Sequence, residues 1–268
     1  MTDADTLSGR ATRSAIKVLM YHRVASDRER LDDYPWKVTV AQLQSHMELL
    51  EVWGYTTVCF EDISTSRDGM LNLPRRPVIL TFDDGCRQTS DNVMMVLSKF
   101  KATATFFVLG NPSIRVSDWD GPKGYAAAEL MSQNQVRSLH AAGFEVGSHS
   151  MNHPDLTHIS RYEIEREIVD SKKSLEDSLQ EEVTTFAYPF GAVNQHAKEV
   201  VADAGYSYGC GVYSGPPRFG MDLYNMRRIP ITQKTTPFEL AMKMLAPYEY
   251  YAWVRWTVRH PFRSFTEN

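Results

Sequence analysis

Two aspartates stand side by side in LTFDDG (80–85), directly behind the apolar, strand-forming run PVILTF (77–82), and Gly85 follows them at once. Adjacent carboxylates repel and aspartate is a poor strand former, so this position needs a reason. HSMNH (149–153) places two imidazoles at i and i+4, a spacing that points both the same way on one helical turn and is common in zinc sites. With 8 histidines in the chain such a pair also arises by chance, so a third ligand decides. A carboxylate from another strand end would make two histidines and one aspartate, with a position left open for water, as in catalytic rather than structural zinc sites. If Asp84 binds the metal, Asp83 stays ionised beside it, free to take a proton from water. The competing reading has Asp83 and Asp84 capping the helix after Gly85, for which one aspartate would suffice.

To bring these groups together the chain must end several strands on one rim. β-rich runs occur at 16–21, 55–60, 77–82, 102–109, 144–148, 184–188 and 206–212, with a weaker one, RRIPI, at 227–231. Between them lie segments of helical period, such as Leu43, Met47 and Leu50, or Ile164, Ile168, Leu175 and Leu179. Thr39/Gln42, Ser132/Gln135, Ser160/Glu163 and Thr236/Glu239 fit the capping box, the last with Pro237 at the first helical position. Gly54, Gly143 and Gly205 sit where left-handed caps are expected. Such alternation implies a parallel sheet covered by helices, and seven or eight units favour an α/β barrel. A single domain is expected over 1–268, with a core of about 16–248 and an aromatic, basic tail at 249–268. In such barrels chemistry collects at the C-terminal strand ends. Asp83, Asp84, His22, His149 and the tetrad YPFG (188–191) all fall there.

TFDDG, HSMNH and FAYPFG resemble the first three motifs of the polysaccharide deacetylases, carbohydrate esterase family four, in the family's order. The resemblance runs from about Val18 to Ile231, and VLMYHRV (18–24) with RRIPI is similar to the poly-N-acetylglucosamine deacetylase branch. It implies a distorted (β/α) barrel of seven or eight parallel strands and a metal-dependent hydrolase removing N-acetyl groups from an N-acetylhexosamine-containing saccharide or glycan precursor. It assigns Asp84, His149 and His153 to one divalent ion, with zinc expected and cobalt or nickel also fitting. Asp83 becomes the base, and the backbone N–H of Phe190 the oxyanion donor. Tyr188, Pro189 and Gly191 are assigned to substrate binding.

The sequence departs from the family pattern in three places. Ala187 stands where an arginine usually orients the base, and Arg228, or Arg227 beside it, is the candidate replacement; an ordinary surface or core-edge role is the alternative. The late leucine-x-histidine motif that supplies the acid is missing, and the branch resemblance turns attention to His22, which could equally be a buried structural imidazole. The tryptophan motif is not recognisable, and GCGVYSG (209–215) is a candidate to take its place. Two rival functions share this scaffold: an amide hydrolase for a small non-sugar substrate, and a degenerate, metal-holding carbohydrate-binding protein.

The net charge of -4 gives no support to a nucleic-acid partner. Cys59, Cys86 and Cys210 do not form a disulfide framework and fit a reducing compartment. No run reaches the ~18 apolar residues of a membrane span, and MTDADTLSGRATRSAIK (1–17) has no secretory h-region. A cytoplasmic location is therefore expected, extending to the inner membrane surface. PYEYYAWVRWTVRHPFRSF (247–265) reads either as a helix closing the barrel or as a segment associating weakly with a membrane surface. Oligomeric state is left open.

Overall fold

A computed structural model of the chain describes residues 16–29, 32–67 and 72–259. The strands in chain order are β1 (Lys17–Tyr21), β2 (Arg23–Ala25), β3 (Lys37–Thr39), β4 (Thr56–Thr57), β5 (Pro77–Phe82), β6 (Thr105–Val108), β7 (Glu145–Ser148), β8 (Thr185–Ala187), β9 (Tyr208–Cys210) and β10 (Ile229–Pro230). β2 and β3 pair separately; the rest form one parallel sheet in the order β10-β1-β5-β6-β7-β8-β9, with β4 added against β5. The helices are α1 (Val40–Val52), α2 (Phe60–Arg67), α3 (Arg87–Phe100), α4 (Gln133–Ala141), α5 (Arg161–Leu179), α6 (Gln195–Asp203), α7 (Pro237–Met244) and α8 (Ala246–Arg259). The result is the distorted barrel expected from the sequence.

Strand alternation divides the core into two layers. Val18, Ile79, Phe107, Ala187, Tyr208 and Met226 pack together inside the curved sheet. Leu19, Leu80, Phe106 and Phe186 pack in a separate cluster with helix residues Leu43, Val93 and Ile168. β9 and β10 are not paired as strands, yet the segment joining them touches both margins of the sheet. Met226 bridges Cys210 in parallel, and Ile229 pairs with Leu19 of β1. Arg228 lies in this seam.

Local signals in the sequence behave as expected. Thr39, Ser132, Ser160 and Thr236 each close a capping box. Gly54, Gly143 and Gly205 have φ of 69°, 88° and 83°. Most strands are shorter than the expected runs, 102–109 being extended at Thr105–Val108 and 206–212 at Tyr208–Cys210. The run 55–60 is extended only at Thr56–Thr57, because the Asp62 carboxylate accepts the Cys59 N–H at 2.7 Å and a helix starts at Phe60.

α8 starts before the expected tail boundary. Its first turn is anchored by buried Glu249, which pairs with Lys17 of β1 at 3.1 Å, whereas Tyr251, Val254 and Val258 are exposed. Among the described residues no helix is long and apolar enough to cross a membrane. The N-terminal stretch read for a leader, except its last two residues, and the end of the tail from 260 onward lie outside the described residues.

Candidate active site

The inward parity of the strands continues one residue past their ends. Val18 and Met20 precede His22, Ile79 and Thr81 precede Asp83, and Gly147 precedes His149. These three polar groups are thus carried to one rim, where with Asp84, His153 and Phe190 they line a cleft of about 180 Å³.

Asp84 and Gly85 take successive left-handed conformations, φ 73° and 71°. Glycine suits the second because a Cβ there would meet the Val108 side chain at 3.2 Å and the φ disfavours any other residue. The turn aims Asp84 back over the sheet. α3 is capped instead by Cys86, without a side-chain bond, so the capping reading of the two aspartates does not hold.

Asp84 Oδ1 lies 3.7 Å from His149 Nε2 and 3.5 Å from His153 Nε2. Tetrahedral donors about 2 Å from a shared zinc ion are roughly 3.4 Å apart. All three residues are buried, and the other carboxylate oxygen, Asp84 Oδ2, has no hydrogen-bond partner among the described residues. His149 Nδ1 is 2.7 Å from the Ala187 carbonyl, which can only accept, so the proton sits on Nδ1 and the Nε2 lone pair faces Asp84. Burial pushes the His149 imidazole down to about 4, assisted by His153 and opposed by Asp83 and Asp84. Neutral imidazoles and a carboxylate fit a divalent ion.

HSMNH does not form the helical turn its spacing suggests. Residues 149–153 are a loop with Ser150 at φ 65° and His153 at φ 64°. Glu167 of α5 holds it open: one carboxylate oxygen accepts the N–H groups of Met151 and Asn152 at 2.9 and 2.8 Å, and the other accepts the Asn152 amide. The two imidazoles converge because the loop is pinned, not because they share a helix.

Arg228 donates to Asp83 from both ends of its guanidinium, Nη1 to Oδ1 at 2.6 Å and Nη2 to Oδ2 at 2.8 Å. It also reaches Thr81 and the Gly211 carbonyl. Burial raises the pKa of Asp83, but the charge of Arg228, with smaller contributions from His149 and His22, holds the carboxyl below its ordinary range. Arg227 turns the other way, toward the carbonyls of Tyr213 and Gly215.

His22 stacks on Trp36 with ring centroids 5.3 Å apart. Phe190 sits at φ 58° after Pro189, its ring edge against His153 at 4.8 Å. Phe190 and Gly191 line the cleft; Tyr188 and Pro189 do not. Tyr188 is a correction to the substrate-binding assignment: like Phe186 it belongs to the outward layer, fully buried, with its hydroxyl donating to the Tyr224 carbonyl at 2.7 Å. Pro189 is buried as well. Val212 and Tyr213 of GCGVYSG do reach the cleft.

Sequence reasoning missed Trp36 and Trp119. The Trp119 ring lies flat on His153, centroids 4.0 Å apart and planes 16° apart. Both tryptophans come from segments without strand or helix periodicity, and only a count of aromatic residues near the motifs would have flagged them.

The chain is similar to known proteins in both sequence and fold. The family model described as Polysaccharide deacetylase matches residues 71–209, a span that holds all three motifs but neither His22 nor Arg228. YxkH of Bacillus subtilis is 24% identical over 221 residues, 81% of this chain and 71% of that protein. The poly-beta-1,6-N-acetyl-D-glucosamine N-deacetylase of Staphylococcus aureus is 26% identical over 145 residues; the match covers 51% of this chain and 48% of that protein's length. Among solved structures, the Streptococcus pyogenes deacetylase PplD in complex with acetate superposes with a TM-score of 0.71 at 25% identity, covering 86% of this chain and 98% of that one.

Proposed function

The chain belongs to the polysaccharide deacetylase family of hydrolases, and from that premise we propose that it removes N-acetyl groups from an N-acetylhexosamine-containing saccharide, using a divalent ion held by Asp84, His149 and His153. The observation that carries the reading is the clustering of these three donors beside a separate carboxylate, Asp83, that is ionised and clamped by Arg228. A site that merely held a metal would have no use for that second carboxylate.

A divalent ion held by Asp84, His149 and His153 would supply a Lewis acid there and would make water easier to deprotonate. Asp83 accepts the proton as water attacks the acetyl carbon. Arg228 keeps Asp83 ionised and fixes the direction of its lone pairs, the task expected of the arginine that Ala187 replaces. The Phe190 N–H donates to the oxygen that becomes negative in the transition state, with Pro189 and Gly191 fixing the turn that presents it. His22 donates a proton to the departing sugar amine, its ring held by the face of Trp36. The indole of Trp119 stacks on His153 and restricts its rotation.

The deciding experiment measures acetate release from N-acetylated oligosaccharides and from small non-sugar amides, before and after chelation. Chelator-sensitive release from the saccharides alone is expected. Turnover of small amides with saccharides untouched would favour the rival hydrolase, and binding of saccharide without release would favour a degenerate carbohydrate-binding protein.

A further inference from the structure

Arg227 and Arg228 are consecutive, and both line a second cleft of about 250 Å³ between β10 and α8. The Arg228 guanidinium is turned to Asp83 of the catalytic cleft, whereas that of Arg227 is turned to the carbonyls of Tyr213 and Gly215. Tyr213 lines both clefts, so they adjoin. The walls of the second carry four arginines, Arg227, Arg228, Arg255 and Arg259, and one carboxylate, Glu249. Arg228 is committed to Asp83 and Glu249 to Lys17. Three guanidinium groups therefore face the cleft with no carboxylate paired to them among the described residues. Tyr248 and Trp256 stand between them as flat, half-buried surfaces.

We propose that this cleft is an anion subsite for the substrate, and that the saccharide deacetylated next door carries a phosphoryl group which Arg227, Arg255 and Arg259 receive. The proposal rests on the deacetylase reading of the adjoining cleft. Guanidinium forks match phosphoryl oxygens in pairs, and three positive charges suit a multiply charged group better than the single charge of a carboxylate. The aromatic faces of Tyr213, Tyr248 and Trp256 suit the apolar faces of sugar rings leading from one cleft to the other. In a chain of net charge -4, gathering beside the active site three arginines that have no carboxylate partner among the described residues runs against the overall balance.

The test uses three N-acetylated oligosaccharides that differ only at one end: a methyl phosphate, a neutral methyl group, or a carboxymethyl group. In the double variant Arg255→Gln/Arg259→Gln, KM for the phosphorylated substrate should rise about 10- to 100-fold with kcat unchanged, while the neutral substrate is used as before. Unchanged use of the neutral substrate also shows that the variant folds. The proposal is overturned if the wild type does not distinguish the phosphorylated from the neutral saccharide, or if the variant loses both equally. It is also overturned, in favour of an acidic sugar, if only the carboxymethyl substrate responds. Binding of inorganic pyrophosphate, followed by calorimetry in wild type and double variant, separates this idea from the deacetylase reading. Pyrophosphate binding that the variant loses supports the subsite even if no acetate is released from any saccharide.

Discussion

Arg228 and Asp83, 145 residues apart in the chain, form a bidentate ion pair that is almost completely shielded from solvent, at 2.6 and 2.8 Å. Asp83 is delivered by the end of β5 and Arg228 by the segment that spans the seam between β9 and β10. The pair therefore couples the orientation of the proposed base to the closure of the barrel. Breaking one partner of a buried pair leaves an uncompensated charge, typically at a cost of about 3–5 kcal/mol.

Arg228→Met should accordingly lower both the melting temperature and kcat, while metal content stays that of the wild type. Arg228→Lys should rescue little of either, since a single ammonium cannot reproduce a two-pronged contact. Thermal melts, metal analysis and steady-state rates on the two variants check this. Full activity in Arg228→Met would show that Asp83 needs no partner.

Metal binding and chemistry should separate at neighbouring residues. His153→Ala should abolish both bound metal and turnover. Asp83→Asn should retain the metal yet lose about 10²–10⁴-fold in kcat, the usual contribution of a general base. Metal analysis beside rate measurements reads both. Wild-type metal content in His153→Ala would show the ligand set to be wrong.

His22 lines the cleft against Trp36 and is the proposed proton donor to the leaving group. His22→Ala should lower kcat on an N-acetyl substrate while leaving metal content intact. The loss should be smaller on the matching O-acetyl substrate, whose alkoxide needs less help to leave. An equal loss on both would assign His22 to sugar binding or site order, and no loss to a structural role.

Glu145 opens β7 at the opposite end of the strand from His149. Its Oε2 accepts from Thr105 Oγ1 at 2.5 Å and from the Phe60 N–H at 2.9 Å, and burial pushes its pKa from 4.5 up to about 7. Between those values the folded chain keeps a proton that the unfolded chain has released, so stability should fall as pH rises from about 4.5 to 7. The loss should be on the order of 3 kcal/mol. Glu145→Gln keeps the acceptor and removes the titration, so its denaturation midpoint should lack this contribution. An unchanged pH slope in the variant would assign the dependence to other groups.

Much of this molecule was legible because its signals are local. A capping box spans four residues, a left-handed cap needs one glycine, and a strand end is marked by the switch from PVILTF to DDG. The backbone satisfies such features within its own neighbourhood, and the structure leaves them where the sequence puts them. The same holds for the placing of Asp83, His149 and His22 on one rim, because strand parity and a parallel sheet carry each of them inward. Parity also sends Tyr188 outward, a consequence of Phe186 and Ala187 that the motif alone conceals. Contacts between distant segments were less legible. Arg228 came into view as a partner for Asp83 only through the family resemblance, and only as one of two adjacent arginines. Nothing in SDWDG (117–121) announces a ring stacked on His153, and nothing in HSMNH shows that Glu167 will hold it out of a helix. Such contacts depend on which strands become neighbours and how loops pack across the rim, and packing is decided by the whole chain at once.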